Sequence, residues 1–358
     1  MTVANFAYPG SYSGYIPSWE ATGQLIEFTR DPAAFRINRY AEYINTKKPA
    51  GVYAELDADQ PVRVVTDDDF AWPDGAQAPD GNDNLMPFRF RDFRCVRKAY
   101  PFTIGDEAAD NTDWKVIAAH TDMAQSQCMT ARTIAAAAVA QNTANWSNNT
   151  AKVQTLVPGI TGWYGASDDE GSPNFLAIKR SLMAAARQIN LYTNGKVKQS
   201  EMHLVLNPDD ALNMANTAEI HSYLARSPAA LAQVRGDSPG QNTLWGLPDM
   251  LYGFSLEVDD SPKVTSRPSS PQSSMTAGTR SYIWQQGSPT LLSRPGKLGG
   301  QYGRKSFSTL QIFFYREMEV YTKDDRDNER TKGRVVESRA VILAAPAAGF
   351  LFQNVNQK

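Results

Sequence analysis

From 112 to 142 the chain runs through thirty-one residues with no glycine or proline and is dense in alanine. Nothing in such a stretch breaks a helix, since the two residues that do so are missing. At about 1.5 Å of rise per residue, thirty residues make a rod of roughly 45 Å. A rod of that length cannot be curled inside one small globule, so the body must be elongated around it. Trp114, Ile117, Ala118, Ala124, Cys128, Ala131, Ala135 and Ala138 are spaced for one face and form the expected contact stripe. Ser126 is the expected place for any break.

Upstream of the rod the charge pattern is unusual. From Glu55 to Asp83 there are nine acids (Glu55, Asp57, Asp59, Asp67, Asp68, Asp69, Asp74, Asp80 and Asp83) and one base, Arg63. The sign then reverses in "RFRDFRCVRK", where Arg89, Arg91, Arg94 and Arg97 alternate with Phe90, Phe93, Cys95 and Val96. Alternation of this kind around a polar, Pro- and Gly-containing tip predicts a long two-stranded loop with one acidic and one basic limb. A lone two-stranded ribbon is marginal in water, so it needs another surface, plausibly a neighbouring copy. The first thirty residues, rich in Tyr, Ser, Gly and Pro, read as an extended arm with the same need. Asp31-Pro32 then predicts a short capped helix running to about Asn45.

Downstream, an amphipathic helix is expected over 173–192, followed by "MHLVLNPDDALNM". There Leu204, Val205 and Leu206 read as a buried strand, Asn207 as an N-cap, Pro208 as the first helical residue, and Asp209 and Asp210 as acids on the positive helix end. Residues 221–300 mix a short helix ("SPAALAQVR"), strands ("LYGFSLEV", "SYIWQQ") and a Ser/Pro-rich loop. Two long strands, "STLQIFFYREMEVYT" and "RVVESRAVILAA", are separated by the charged link "KDDRDNERTKG". The fold class is α+β.

Catalytic and ligand signals fail on context. "GDSPG" at 236–240 matches a nucleophile elbow, but Pro239 follows the serine and the three histidines, His120, His203 and His221, all precede it. "GGQYGRKS" at 299–306 lacks the ending that puts lysine on a phosphate. Asp325, Asp327 and Glu329 have calcium-loop spacing, but Arg330 stands where the turn requires glycine. Two cysteines and three histidines with no paired spacing leave no metal or cofactor expected, and no enzymatic role. His120 is read as a helix-surface residue and Cys128 as a core one. A net charge of -2 and a pI near 6.0 give no global field for gripping nucleic acid, and no run approaches a membrane span. The two cysteines fit a reducing cytosol.

In this order, an arm, an extended two-stranded loop, a spine helix, a second helix, a mixed lobe and long closing strands resemble the major capsid proteins of tailed bacteriophages, the Hong Kong 97-like fold. "LNPDDALNMA" is similar to that family's strand-turn-helix in the axial lobe, and "TLWGLPDMLYGFSLEVDD" to its glycine-proline turn and acid-ended strand. "RAVILAAPAAGFLF" is similar to its C-terminal strand and apolar finish. The resemblance implies an N-terminal arm and short helix at 1–50 and an extended loop at 51–105. It implies a peripheral domain with the spine helix at 106–200 and 305–345, and an axial domain at 201–304 and 346–358. It also implies a shell subunit forming hexamers and pentamers around double-stranded DNA, without sequence-specific binding. The shell would be a virion capsid assembled in the host cytoplasm, with a scaffolding protein, a portal and a cement protein as further partners. Inter-subunit contacts are expected at Arg89, Arg91, Arg94, Arg97, Asp67, Asp68 and Asp69. Some relatives weld neighbours through a loop lysine, whereas here no lysine lies between Gly51 and Arg97. Two other readings are an encapsulin-like compartment with the same fold, and a soluble hydrolase or sugar-binding domain.

Overall fold

The computed structural model describes residues 30–55, 74, 89–110, 116–146, 153–155, 162–163, 176–193, 195–235, 245–265, 279–294 and 308–355. The expected arm, most of the loop tip with Asp67, Asp68 and Asp69, and the "GDSPG" and "GGQYGRKS" stretches lie outside them. Among the described residues, no helix is long and apolar enough to cross a membrane.

Along the chain the first elements are a 3-10 turn at Pro32–Ala34, α1 (Ile37–Tyr40), β1 (Glu42–Asn45), β2 (Ala50–Glu55), β3 (Arg89–Arg94) and β4 (Val96–Gly105). Then come α2 (Asp106–Asp110), α3 (Val116–Ala140), β5 (Val153–Thr155), α4 (Ala177–Tyr192), β6 (Met202–Leu206), α5 (Pro208–Ala215), α6 (Ala218–Arg226) and α7 (Pro228–Arg235). The remaining strands are β7 (Met250–Leu251), β8 (Phe254–Val258), β9 (Pro262–Val264), β10 (Arg280–Tyr282), β11 (Thr290–Ser293), β12 (Leu310–Asp325), β13 (Arg330–Leu343) and β14 (Phe350–Gln353).

Two main sheets carry the molecule. One has four strands in the order β1-β12-β13-β4, and the other six in the order β5-β14-β11-β6-β8-β7. The centre of the six-stranded sheet is buried on both faces, and β6, β11 and β14 accordingly carry apolar residues on both sides. Leu204, Leu206, Leu291, Phe350 and Phe352 face a core built with α4, α5 and α6. Their alternates Val205, Leu292 and Leu351 face a second core, shared with α3, β12 and residues 35–41. That second core joins the two sheets. The helix expected over 173–192 is observed as α4, and its buried residues Ile178, Leu182, Ala185 and Ile189 lie in the six-stranded sheet's core.

Three expectations are corrected. Residues 31–45 are not one helix. Asp31 does cap the start, accepting from the Ala33 amide at 2.8 Å, but residues 42–45 form β1, parallel to β12 in the register Glu42↔Gln311 to Asn45↔Phe314. Pairing with a strand some 270 residues away overrides local helical signals, and Tyr43 and Ile44 fit a strand well. The charged stretch 323–333 is likewise not a separate link. β12 and β13 pair through it, Lys323↔Lys332 and Asp325↔Arg330, with only a 3-10 turn at Arg326–Asn328 as the tip. The ladder satisfies the backbone there, so polar side chains are no obstacle to strands.

The third correction concerns the spine. α3 is continuous through Ser126, but its buried stripe is Ala124, Cys128, Arg132, Ala136 and Ala140 with Met129, Thr133 and Ala137. Trp114 lies outside the described residues, and of the rest of the expected stripe only Ala124 and Cys128 are buried, while Ile117, Ala118 and Ala138 are exposed. An alanine-rich helix offers several weakly apolar faces, and the partner chooses among them. On β12 the register shifts between Phe314 and Glu319, and Met318 takes a left-handed φ of 43°. This irregularity lets Met318 pack against both cores that touch α3.

Candidate assembly surfaces

β2 and β3 form a two-stranded ribbon in the register Ala50↔Arg94 to Glu55↔Arg89. One face turns inward. Phe93 stacks on Phe313 with ring centroids 4.3 Å apart, and Tyr53 lies on the same ring at 6.3 Å. Gly51 leaves room beside them, since a Cβ there would stand 3.0 Å from the Phe93 ring and press on it. The other face turns outward and mixes large apolar side chains, Val52 60% and Phe90 72% exposed, with the exposed Asp92 and Arg94. A strand pair that offers large apolar side chains to water on one side has the character of a contact surface.

The expected contact residues are not brought together as one basic limb. Arg89, Arg91 and Arg94 lie on β3, Cys95 ends the pairing with β2, and Arg97 belongs to β4 in the four-stranded sheet. Arg91 turns inward and bridges the buried Glu55 carboxylate at 2.5 Å. That pair joins the acidic and basic limbs within one subunit. Arg94 and Arg97 are exposed. Asp67, Asp68 and Asp69 lie outside the described residues.

Sequence reasoning missed two polar constructions that hold these surfaces in place. The first sits between α3 and β13. The fully buried Glu337 accepts from Arg132 Nε at 3.0 Å and from Arg339, and the Cys128 thiol donates to it at 3.3 Å. The Arg132 guanidinium also lies over the rings of Phe314 and Tyr43, 4.5 and 5.0 Å from their centroids. Burial pushes the Cys128 thiol up, against the pull of the neighbouring arginines, so it stays a neutral donor. The available signal was phase. Arg132 falls in the i, i+4 series of Ala124, Cys128, Ala136 and Ala140, and Glu337 and Arg339 fall in step with Val335.

The second construction fastens residues 30–40 onto the six-stranded sheet. Arg30 pairs with Asp260 at 2.8 Å, and Arg36 and Arg39 each stand 3.7 Å from Glu257. The Tyr40 hydroxyl donates to Asp259 at 2.8 Å, and Trp284 Nε1 donates to the same oxygen at 3.1 Å. Burial first, and then the Asp259 carboxylate, hold the Tyr40 hydroxyl well above its ordinary pKa. Since β1 follows at once, residues 30–45 tie the end of β8 to the four-stranded sheet.

The turn at 206–210 is a joint. Asn207 accepts from the Asp209 amide at 2.7 Å and donates to the Trp284 carbonyl at 2.6 Å, and the buried Asp210 carboxylate accepts from the Gly287 amide. A cleft of about 730 Å³ beside it is lined by Asn207, Asp209, Lys263, Arg280, Tyr282 and Trp284. Among the described residues no group of three or more metal-ligating side chains converges.

No family model matches the chain, and no curated protein sequence matches it. Solved structures do. A phage-related protein from Bordetella bronchiseptica RB50 is 12% identical with a TM-score of 0.59, over 98% of this chain and 99% of that one. The capsid of cyanophage P-SCSP1u is 9% identical with a TM-score of 0.53, over 96% and 91%. The mature capsid of bacteriophage PhiM1 is 10% identical with a TM-score of 0.51, over 90% and 87%. The chain has the α+β fold of tailed-phage major capsid proteins, the Hong Kong 97-like fold.

Proposed function

We propose, with a capsid-subunit fold as the premise, that this chain builds the icosahedral shell enclosing the double-stranded DNA of a tailed phage. The observation that carries the reading is the likeness to solved phage-related and capsid structures over nearly the whole length of both chains. The outward face of the ribbon supports it, because Val52 and Phe90 find no cover among the described residues. Hexamers and pentamers of this chain are its first partners, with a scaffolding protein, a portal and a cement protein beside them. In this reading the four-stranded sheet with α3 is the peripheral unit, and the six-stranded sheet with α5–α7 is the axial unit. The helix α4 goes with the axial unit, where its apolar face is buried.

Sedimentation and electron microscopy of the purified chain test the reading. Closed particles of uniform size are expected. A chain that stays a small oligomer under all assembly conditions would sink it. Particles carrying nuclease-protected DNA from an infected host point to the virion, and particles loaded with an enzyme point to a compartment.

A further inference from the structure

Beneath the spine, the four-stranded sheet gathers more positive charge than negative. Val335, Glu337 and Arg339 alternate onto the face of β13 that α3 covers, and the register sets Tyr100 opposite Val335 and Lys98 opposite Glu337 on the edge strand β4. The charged groups that meet there are the buried Arg132, Arg339 and Glu337, Lys98 at the exposed rim, and the part-exposed Glu317, 3.7 Å from Arg132. Three cations against two acids leave one positive charge in excess. Arg339 carries it. Whereas Arg132 gives both Nε and Nη2 to Glu337, Arg339 gives only Nη1, to Glu337 and, at 3.5 Å, to the Cys128 carbonyl. Its Nε and Nη2, the two parallel donors of the guanidinium fork, are shut off from water and have no hydrogen-bond partner among the described residues. The Tyr100 hydroxyl, beside that guanidinium but without a bond of good geometry to it, is shut off in the same way.

We propose that the free fork of Arg339 and the Tyr100 hydroxyl bind one chloride ion between β4 and β13, under the spine. Buried donors are costly to leave without an acceptor, most of all on a charged group, and three of them belong to this one place. An acceptor that brings a single negative charge matches the excess of one. Shape selects among the anions. A phosphate or a free carboxylate would bring several oxygens, each needing donors of its own, whereas a halide is one atom with no preferred direction and accepts from all three. Burial holds the Tyr100 hydroxyl above its ordinary pKa, so it keeps the proton that it donates. Lys98 stands exposed on the edge strand above the site, and its charge draws anions toward the entrance. Bound there, the ion ties β4 to Arg339, and Arg339 reaches α3 through the Cys128 carbonyl. The seat of the spine on the sheet therefore depends on an anion, whatever the folded chain assembles into.

Denaturant unfolding of the purified full-length chain at constant ionic strength tests this, together with the line width of chloride in nuclear magnetic resonance. Exchanging sodium methanesulfonate for sodium chloride is expected to raise the unfolding midpoint, because an ion that binds only the folded chain stabilises it by mass action. The chloride line should broaden on adding the chain and narrow again when bromide competes. Y100F removes one neutral donor while keeping both arginines and Glu337, and is expected to weaken chloride binding about fivefold. R339M should abolish it. Should R339M fail to fold, the salt exchange in the parent chain and the Y100F titration decide without it. A midpoint indifferent to the choice of salt, as a water in that place would give, overturns the proposal. So does chloride binding that is unchanged in Y100F, which would put the ion elsewhere. Phosphate that stabilises more than chloride at equal ionic strength, and loses that effect in Y100F, overturns the choice of a monatomic ion.

Discussion

At the scale of single residues, the buried ion network is where one atom matters most. Glu337 is fully buried with two arginine partners, one of them 205 residues away in sequence. Removing its charge leaves two guanidinium groups in the interior with only the part-exposed Glu317, 3.7 Å from Arg132, to balance them. E337Q is therefore expected to cost about 3–5 kcal/mol in denaturant unfolding, while E337Q/R132M/R339L recovers most of that loss. His120 gives a pH signature. Burial lowers its pKa below the ordinary 6.5, and its ring stacks on Phe102 with centroids 6.3 Å apart. A histidine depressed in the folded state takes its proton more readily when unfolded, so stability falls as pH drops through the range below 6.5 and is unaffected above it. H120F should show a flatter stability profile between pH 7 and 5 than the parent chain, and identical profiles would refute this. Arg132 and Glu337 were each visible in the sequence, in phase with apolar neighbours. Their pairing was not, because two residues on different elements carry no local mark of meeting.

At the scale of elements, helix α4 begins without a cap of its own. Leu176 has a left-handed φ of 66° and no side chain able to accept, and the Glu219 carboxylate of α6 takes the amides of Ile178 and Lys179 at 3.0 and 2.9 Å. The Tyr252 hydroxyl donates to the same group at 2.8 Å. E219A should destabilise the six-stranded unit by about 2 kcal/mol, read as faster hydrogen exchange in the first turn of α4. The hairpin of β12 and β13 has a comparable dependence. The Phe102 ring lies across Gly333, within 2.6 Å of where a Cβ would stand. G333V is expected to cost about 1–3 kcal/mol, and G333V/F102A to cost less than the two changes summed. The capped starts at Asp31 and Asn207 were legible because a cap is local chemistry. The cap at Glu219 and the strand at 42–45 were not, since both are supplied by distant chain.

At the scale of the whole molecule, the ribbon turns Val52 and Phe90 outward, 60% and 72% exposed. Replacing residues 60–88 with a short turn should leave a soluble, folded chain that forms no closed shells by electron microscopy. With no lysine from Gly51 to Arg97, the loop has no amine to weld neighbours. Boiling particles in detergent and reductant should release a single band near 39.5 kDa, and a ladder of multimers would contradict it. By itself the sequence determined what is written in short range: the long spine, the strand at 89–94, the capped joint at Asn207 and two long final strands. Periodicity, caps and turn residues act over a few positions and can be read there. Only the tertiary structure decided which face of the spine is buried, that residues 42–45 join β12, and that "RFRDFRCVRK" splits at Cys95 between two sheets. Those outcomes depend on partners a hundred or more residues away, and the energy that selects them comes from packing and pairing that no local pattern contains.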